Sequence, residues 1–272
     1  MRCGVRRGRL HERMPEGHTL HRLALDHRKW LADRRIRTSS PQGRFSDEAA
    51  ELDGQRVEVV EAFGKHLFYR FESGAHVHVH LGLYGRFRRW KQPALPPRGA
   101  IRWRIETDDV CLDLSGPTAC EVLDLEQVSA IHQRLGPDLL RSDARADVAW
   151  ERITASRRSL GALLLDQSVL SGVGNVYRAE GLFVAGLHPE LRGNELERRD
   201  FTRLWKTLRL QLAKGVKDRR IVTVPHPEGR RATRGERTWV YGQRLCKRCE
   251  GPVRRWELGS RTMFACEHCQ VR

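Results

Sequence analysis

Two Cys-x-x-Cys pairs near the C-terminus, Cys246/Cys249 and Cys266/Cys269, constrain this chain more than any other feature. Sixteen residues separate the pairs, enough for two antiparallel strands and a turn. Each pair can sit on a tight turn that aims two thiolates at one point, and two such turns complete a tetrahedral set of four sulfurs. A segment this short cannot build its own hydrophobic core, so bound zinc would stand in for one, with Trp256 and Phe264 packed on the ribbon. Four thiolates leave no open coordination position, so one structural Zn2+ is expected, without a part in chemistry. In a reducing compartment this spacing fits zinc better than disulfides. Cys3, Cys111 and Cys120 are scattered.

The chain has 272 residues, with 50 Lys and Arg against 34 Asp and Glu, a net charge of +16. Such a balance favours a polyanionic partner, without saying whether that is DNA, RNA or an anionic membrane surface. Between Lys214 and Arg272 there are 15 basic and 6 acidic residues, so over half of the excess falls in the last fifth of the chain. A phosphate-contacting module is expected there. Apolar runs such as Leu163-Leu164-Leu165 are far shorter than the ~20 residues that cross a bilayer. No signal-peptide core is visible, and a cytoplasmic location is expected. The first 13 residues are rich in Arg (Arg2, Arg6, Arg7, Arg9, Arg13) but lack the Ser of a transit peptide.

Hydrophobic periodicity predicts an α+β chain. Residues 16–32 read as a leading helix, because Leu20, Leu23, His27, Trp30 and Leu31 share one face. Residues 56–62, 66–72, 75–81, 101–107 and 110–114 read as short strands punctuated by Gly, Pro or Asp, which suggests a β-sandwich or barrel. Helical spacing begins near Glu126 and recurs at 126–135, 147–155, 159–168, 175–185 and 197–216. The expected organisation is an N-terminal β-sandwich domain with the leading helix over 15–125 and a helical domain over 126–216. A basic linker over 217–237 and a zinc ribbon over 238–272 follow. Residues 1–14 are expected to be a removed or non-native extension.

The stretch Met14-Pro15-Glu16-Gly17-His18-Thr19 carries the most chemistry. If Met14 is removed, Pro15 presents a free secondary amine. An α-amine of pKa ~7.8 is roughly 10–15% neutral at pH 7, against ~0.04% for a lysine, so the terminal amine is much the better nucleophile. Pro followed by Glu is also an ordinary helix start. Within the chain a proline has no amine to offer, so this chemistry requires that residues 1–14 be absent from the mature protein. Three further motifs decide between these readings. They are Gly64-Lys65-His66-Leu67, the stretch Leu163 to Asn175 ending Gly-Val-Gly-Asn, and the ribbon ending Cys-x-x-Cys-Gln.

Together, and in this order, the four motifs closely resemble the formamidopyrimidine-DNA glycosylase / endonuclease VIII family, over residues 14–272. The Pro-Glu-Gly start and Leu83-Tyr84 look more like the endonuclease VIII branch. The resemblance implies a β-sandwich, a helix-two-turns-helix domain and a zinc ribbon, with damaged double-stranded DNA bound in the cleft between the halves by a monomer. It implies a bifunctional DNA glycosylase and abasic-site lyase of base excision repair. Pro15 would be the nucleophile and Glu16 the proton donor that opens the sugar ring. Lys65 would contact the phosphate beside the lesion, and Arg261 would assist δ-elimination. Arg134 and Asn175 would hold phosphates, and Leu83 and Tyr84 would fill the gap left when the base turns out of the stack. Gly82 departs from the branch, which often carries a polar residue there. Oxidised pyrimidines are the expected substrates, with oxidised purines as the alternative within the class. A non-catalytic zinc-ribbon protein that binds DNA, or more remotely RNA, is the alternative outside it.

From the residues alone, Asn175 is expected to cap the helix that it opens, and the Gly172-Val173-Gly174 turn to offer backbone N–H groups to a phosphate. His76, His78 and His80 alternate on one strand face. With no acidic partner near in sequence, they read as a polar strand face and not as a metal site.

Overall fold

Short β-branched and aromatic segments in the first half of the chain need partners on both edges, and hairpins supply them. The computed structural model describes residues 15–227 and 232–271. The expectation for residues 1–14 lies outside the described residues, as does part of the expected linker. The chain divides into two units, one of residues 23–130 with Pro15, the other of residues 16–22 and 131 onward.

The first unit takes most of helix α1 (Gly17–Leu31), strands β1 (Arg34–Arg35) and β2 (Arg37–Ser39), and a short helix α2 (Ser46–Leu52). Strands β3 (Arg56–Phe63), β4 (His66–Phe71), β5 (His76–His80) and β6 (Arg86–Lys91) follow. Strands β7 (Ile101–Glu106), β8 (Val110–Ser115) and β9 (Ala119–Leu123) complete it. They form a five-stranded sheet ordered β1-β3-β4-β5-β9 and a four-stranded sheet ordered β2-β7-β8-β6, antiparallel in every pair. Inward residues of one sheet, such as Leu67, Tyr69, Val77 and Val79, face Trp103, Ile105, Leu112 and Leu114 of the other, all fully buried. Tyr69 meets Trp103 edge-on at 5.0 Å between ring centroids. Each such side chain contributes about 1.5–3 kcal/mol by burial. The second half of α1 docks on the first sheet through Arg28, which donates to the Val60 carbonyl at 2.8 Å, and through a 2.6 Å bond between His27 and Tyr69.

Strands β1, β2, β6 and β9 and helix α2 go beyond the expected elements. The segment Arg86–Lys91 carries four basic residues in six, and its buried face is too sparse to signal a strand. It forms one because β8 supplies a full antiparallel ladder, from Arg86 opposite Ser115 to Lys91 opposite Val110.

The second unit holds helices α4 (Ala146–Thr154), α5 (Leu160–Leu163), α6 (Asn175–Ala185) and α7 (Arg198–Asp218), with the end of α3 (Leu125–Arg134). The helix expected over 159–168 is a single turn, α5. Side chains stop it: the Gln167 amide donates to the carbonyls of Leu165 and Val173 and accepts from Gly172 N–H, and Asp166 accepts from Ser168 N–H. Such bonds compete with helix continuation. Helix α7 runs two residues into the expected linker and ends at Arg219, which takes a left-handed conformation. The unit closes with the hairpin β10 (Val253–Glu257) and β11 (Thr262–Cys266).

Candidate active site and DNA-contacting surface

Glu16 is 2% exposed, and its carboxylate sits on the N-terminus of α6. It accepts from Gly174 N–H at 2.9 Å, Val176 N–H at 2.9 Å and Tyr177 N–H at 3.4 Å. The first amides of a helix have no partner within it, and the positive end of the helix dipole favours an anion there. Gly17 N–H donates to the Gly172 carbonyl at 2.7 Å, and a Cβ at Gly17 would come within 2.8 Å of Gly172 Cα. A Cβ at Gly174 would strike the Glu16 side chain. Glycine at both positions lets the start of α1 lie against the two-turn segment. Half-buried Pro15 directly precedes this anchored carboxylate.

Two expectations are corrected here. Asn175 does not cap α6: it is the first helical residue, and the helix has no side-chain cap from its N-cap residue, Gly174. Its amide instead donates to the Thr262 carbonyl at 2.9 Å. Capping falls to Glu16, from far away in sequence. Nor do the glycine amides of the turn stand open for a phosphate. Gly172 N–H is held by Gln167 and Gly174 N–H by Glu16.

Arg178, which the sequence reading passed over, ties this region together. Its side chain is fully buried. One terminal nitrogen donates to the Leu258 carbonyl at 2.8 Å and to that of Gly161 at 3.2 Å. The other donates to Asn175 Oδ1 at 2.5 Å and reaches the Arg261 and Thr262 carbonyls at 3.4 Å. Burial pulls its pKa down to about 10, so it stays charged at neutral pH. Arg261 is exposed at the β10–β11 tip, its carbonyl also accepting from Leu258 N–H at 3.0 Å. One buried guanidinium thus orders both Asn175 and the backbone of Arg261. Arg134 is exposed at the end of α3.

In the first unit, half-buried Lys65 occupies the tight β3–β4 turn, where Gly64 adopts φ +58°. The Lys65 carbonyl and His80 Nδ1 lie 3.0 Å apart. Leu83 and Tyr84 lie on the turn between β5 and β6. Tyr84 is 70% exposed, which fits a tip and not a core position. Gly82 has φ +61°, and the Thr118 hydroxyl fills the space that a side chain there would need. That is the physical reason for glycine where a polar residue was expected.

The three alternating histidines acquire an acidic partner that the linear sequence hides. His78 Nδ1 lies 2.9 Å from Glu121 Oε1 of the neighbouring strand β9, and His78 Nε2 lies 2.8 Å from His66 Nδ1. Among the described residues the candidate metal-binding group is the cysteine set, not this chain. Ligand atoms of Cys246, Cys249, Cys266 and Cys269 lie within 4.8 Å of one another, as a single bound ion requires. Gln270 braces the second knuckle, accepting from Cys266 N–H at 3.0 Å and donating to the Leu187 carbonyl at 2.8 Å. Burial pushes the Cys111 and Cys120 thiols up to about 12, so neither is a thiolate at neutral pH.

A β-sandwich unit, together with a second unit that holds two helices joined by paired turns and a four-thiol hairpin, defines a class of DNA-repair fold. The formamidopyrimidine-DNA glycosylase N-terminal domain matches residues 14–122, and the formamidopyrimidine-DNA glycosylase H2TH domain matches residues 135–225. Endonuclease 8 1 of Mycobacterium tuberculosis (strain ATCC 25618 / H37Rv) is 44% identical over 268 residues, covering 95% of this chain and 100% of that one. Endonuclease 8 of Pectobacterium atrosepticum is 31% identical over 226 residues, 81% of this chain and 85% of that one. Lactococcus lactis formamidopyrimidine-DNA glycosylase in complex with DNA containing an abasic site has the same fold, with a TM-score of 0.80 at 21% identity over 94% of this chain and all of that one. The chain belongs to the formamidopyrimidine-DNA glycosylase / endonuclease VIII family, the DNA glycosylases and abasic-site lyases of base excision repair.

Proposed function

We propose that this enzyme removes oxidised pyrimidines from duplex DNA through the amine of Pro15 and cleaves the strand by β,δ-elimination, acting as a monomer. The seating of Glu16 on the α6 N-terminus carries the reading, because it anchors the residue next to Pro15 in a defined place. Loss of residues 1–14 frees the amine. Its nitrogen attacks C1′, and the base departs with the proton that the nitrogen loses. Glu16 relays a second proton, taken up from solvent, to O4′; the C1′–O4′ bond breaks, and the opened sugar is left joined to Pro15 by an iminium link. The iminium acidifies the C2′ proton; its loss expels the 3′ phosphate, and a second elimination expels the 5′ phosphate. Lys65 contacts the phosphate beside the lesion, and Arg261 assists the second elimination. Asn175 and Arg134 hold phosphates, while Leu83 and Tyr84 enter the gap left by the displaced base.

The pyrimidine preference is supported by the two relatives named endonuclease 8 and by the Pro-Glu-Gly start. The four cysteines suit Zn2+, which would hold the ribbon and leave no coordination position for chemistry. The test is borohydride trapping on a duplex with an abasic site, followed by mapping of the cross-linked peptide. A link at Pro15 supports the mechanism; a link elsewhere, or none, overturns it. Rates on thymine glycol and 8-oxoguanine duplexes decide the substrate class, and faster removal of 8-oxoguanine would reverse the preference.

A further inference from the structure

The first unit contains an arginine-lined cleft of about 520 Å³ that the chemistry above does not use. One wall is the outward face of β6, with Arg86, Arg88 and Trp90. The other is the loop before β7, with Leu95 and Arg98. Tyr84 also lines the cleft. The single acidic residue of the lining, Asp113, is already neutralised. Arg104 grips it with two bonds of 2.7 and 2.9 Å, and Trp90 Nε1–H donates to it at 2.7 Å. Exposed Arg86, Arg88 and Arg98 therefore face the cleft with no carboxylate of its lining left to pair with.

We infer that this cleft binds the phosphodiester backbone of the undamaged strand. The inference rests on the proposed glycosylase reading, in which Tyr84 enters the duplex. Residues assigned to the damaged strand (Pro15, Glu16, Lys65, Asn175, Arg261) do not line the cleft, whereas Tyr84 does. Two positions apart on an extended strand, Arg86 and Arg88 project from the same face about 6.7 Å apart. That is close to the spacing of successive phosphates along one strand. Guanidinium groups suit phosphate oxygens because their forked donors match them. Trp90 is rigidly held by Asp113 and offers a flat face to a base or sugar.

The test compares wild type, R86A/R88A, R98A and R86K/R88K. Fluorescence anisotropy is read on a duplex with a tetrahydrofuran abasic analogue and on its damaged strand alone, across a salt series. R86A/R88A should weaken duplex binding roughly tenfold and flatten the slope of log K against log salt by about 1.8, with single-strand affinity within about twofold of wild type. R98A should act in the same direction, and R86K/R88K should recover most of the loss. Unchanged duplex binding, equal losses on both DNAs, or preferential competition by polyglutamate would overturn the inference. Melting temperature confirms folding of each variant. Wild-type borohydride trapping separates the two readings: trapping with unaltered variants sinks only the cleft, and no trapping sinks the glycosylase mechanism itself.

Discussion

Glu16 and Gly174, 158 positions apart in sequence, are joined by a 2.9 Å hydrogen bond from the glycine N–H to the carboxylate. The contact is possible only because position 174 has no side chain. Replacing Gly174 with Ala should cost about 1–3 kcal/mol through overpacking. It should also displace Glu16, and with it Pro15, and slow cleavage of an abasic duplex by roughly a hundredfold. Thermal melting and single-turnover cleavage check both effects; a G174A enzyme with wild-type turnover would show that the seat of Glu16 is dispensable.

Arg178 should set the balance between the two elimination steps without touching DNA. R178M takes the donor from Asn175 Oδ1 and from the Leu258 carbonyl, at about 1–3 kcal/mol for each one that water cannot reach, while the Arg261 and Thr262 carbonyls keep Leu258 N–H and the Asn175 amide. R178K keeps the charge but loses the fork that spans several acceptors. Both should raise the share of β-elimination product over δ-elimination product, which denaturing gels resolve. A fall in total activity with an unchanged product ratio would reduce Arg178 to a packing role.

Removing the proposed Zn2+ with a thiol-directed chelator should disorder the two thiol-bearing turns, because the ribbon has only one face in the core and the four thiolates need the ion to hold them together. Trp256 emission should shift to the red, and DNA affinity and its salt dependence should both fall. Zn2+ should restore them. C249S should behave like the chelated enzyme, and full DNA affinity after complete loss of metal would argue against a structural ion.

Two buried imidazoles predict an acid-sensitive fold. Burial lowers the pKa of His18 to about 4 and that of His27 to about 3, the latter against an opposing pull from Asp26. Below the unfolded value of 6.5 the unfolded chain binds more protons than the native one, so their contribution is complete above pH 6.5. It falls between pH 6.5 and about 4, by up to about 1.4 kcal/mol per pH unit for each histidine. Denaturant melts at pH 7.5, 5.5 and 4.5 measure the slope. H18Q should flatten it, whatever it does to stability at pH 7.5, and an equally steep profile in that variant would exclude His18 as a source.

Much of the candidate site was legible before the fold was known, because its chemistry is local. The four cysteines announce a metal through spacing alone, and Met14-Pro15-Glu16 marks an amine beside an acid. Partners that arrive from elsewhere were not legible. Asn175 read as a helix cap because Asn often is one; Glu16 outcompetes it from another segment. His76, His78 and His80 read as a partnerless polar face because Glu121 lies 43 positions beyond His78 and reaches it only through strand pairing. Strand β6 was hidden by its charges, and the arginine-lined cleft that it borders was hidden with it.

Residue types and short spacings were enough to establish the thiol set, the α+β class and the chemical candidates Pro15, Glu16, Lys65 and Arg261. Tertiary structure alone decided which backbone amides Glu16 occupies, that Arg178 holds Asn175 and the Arg261 backbone, and that Thr118 fills the space beside Gly82. The physical reason is that buried donors and acceptors must find partners wherever the fold brings them. Local pattern reports which groups a segment carries, and long-range packing assigns the partner of each.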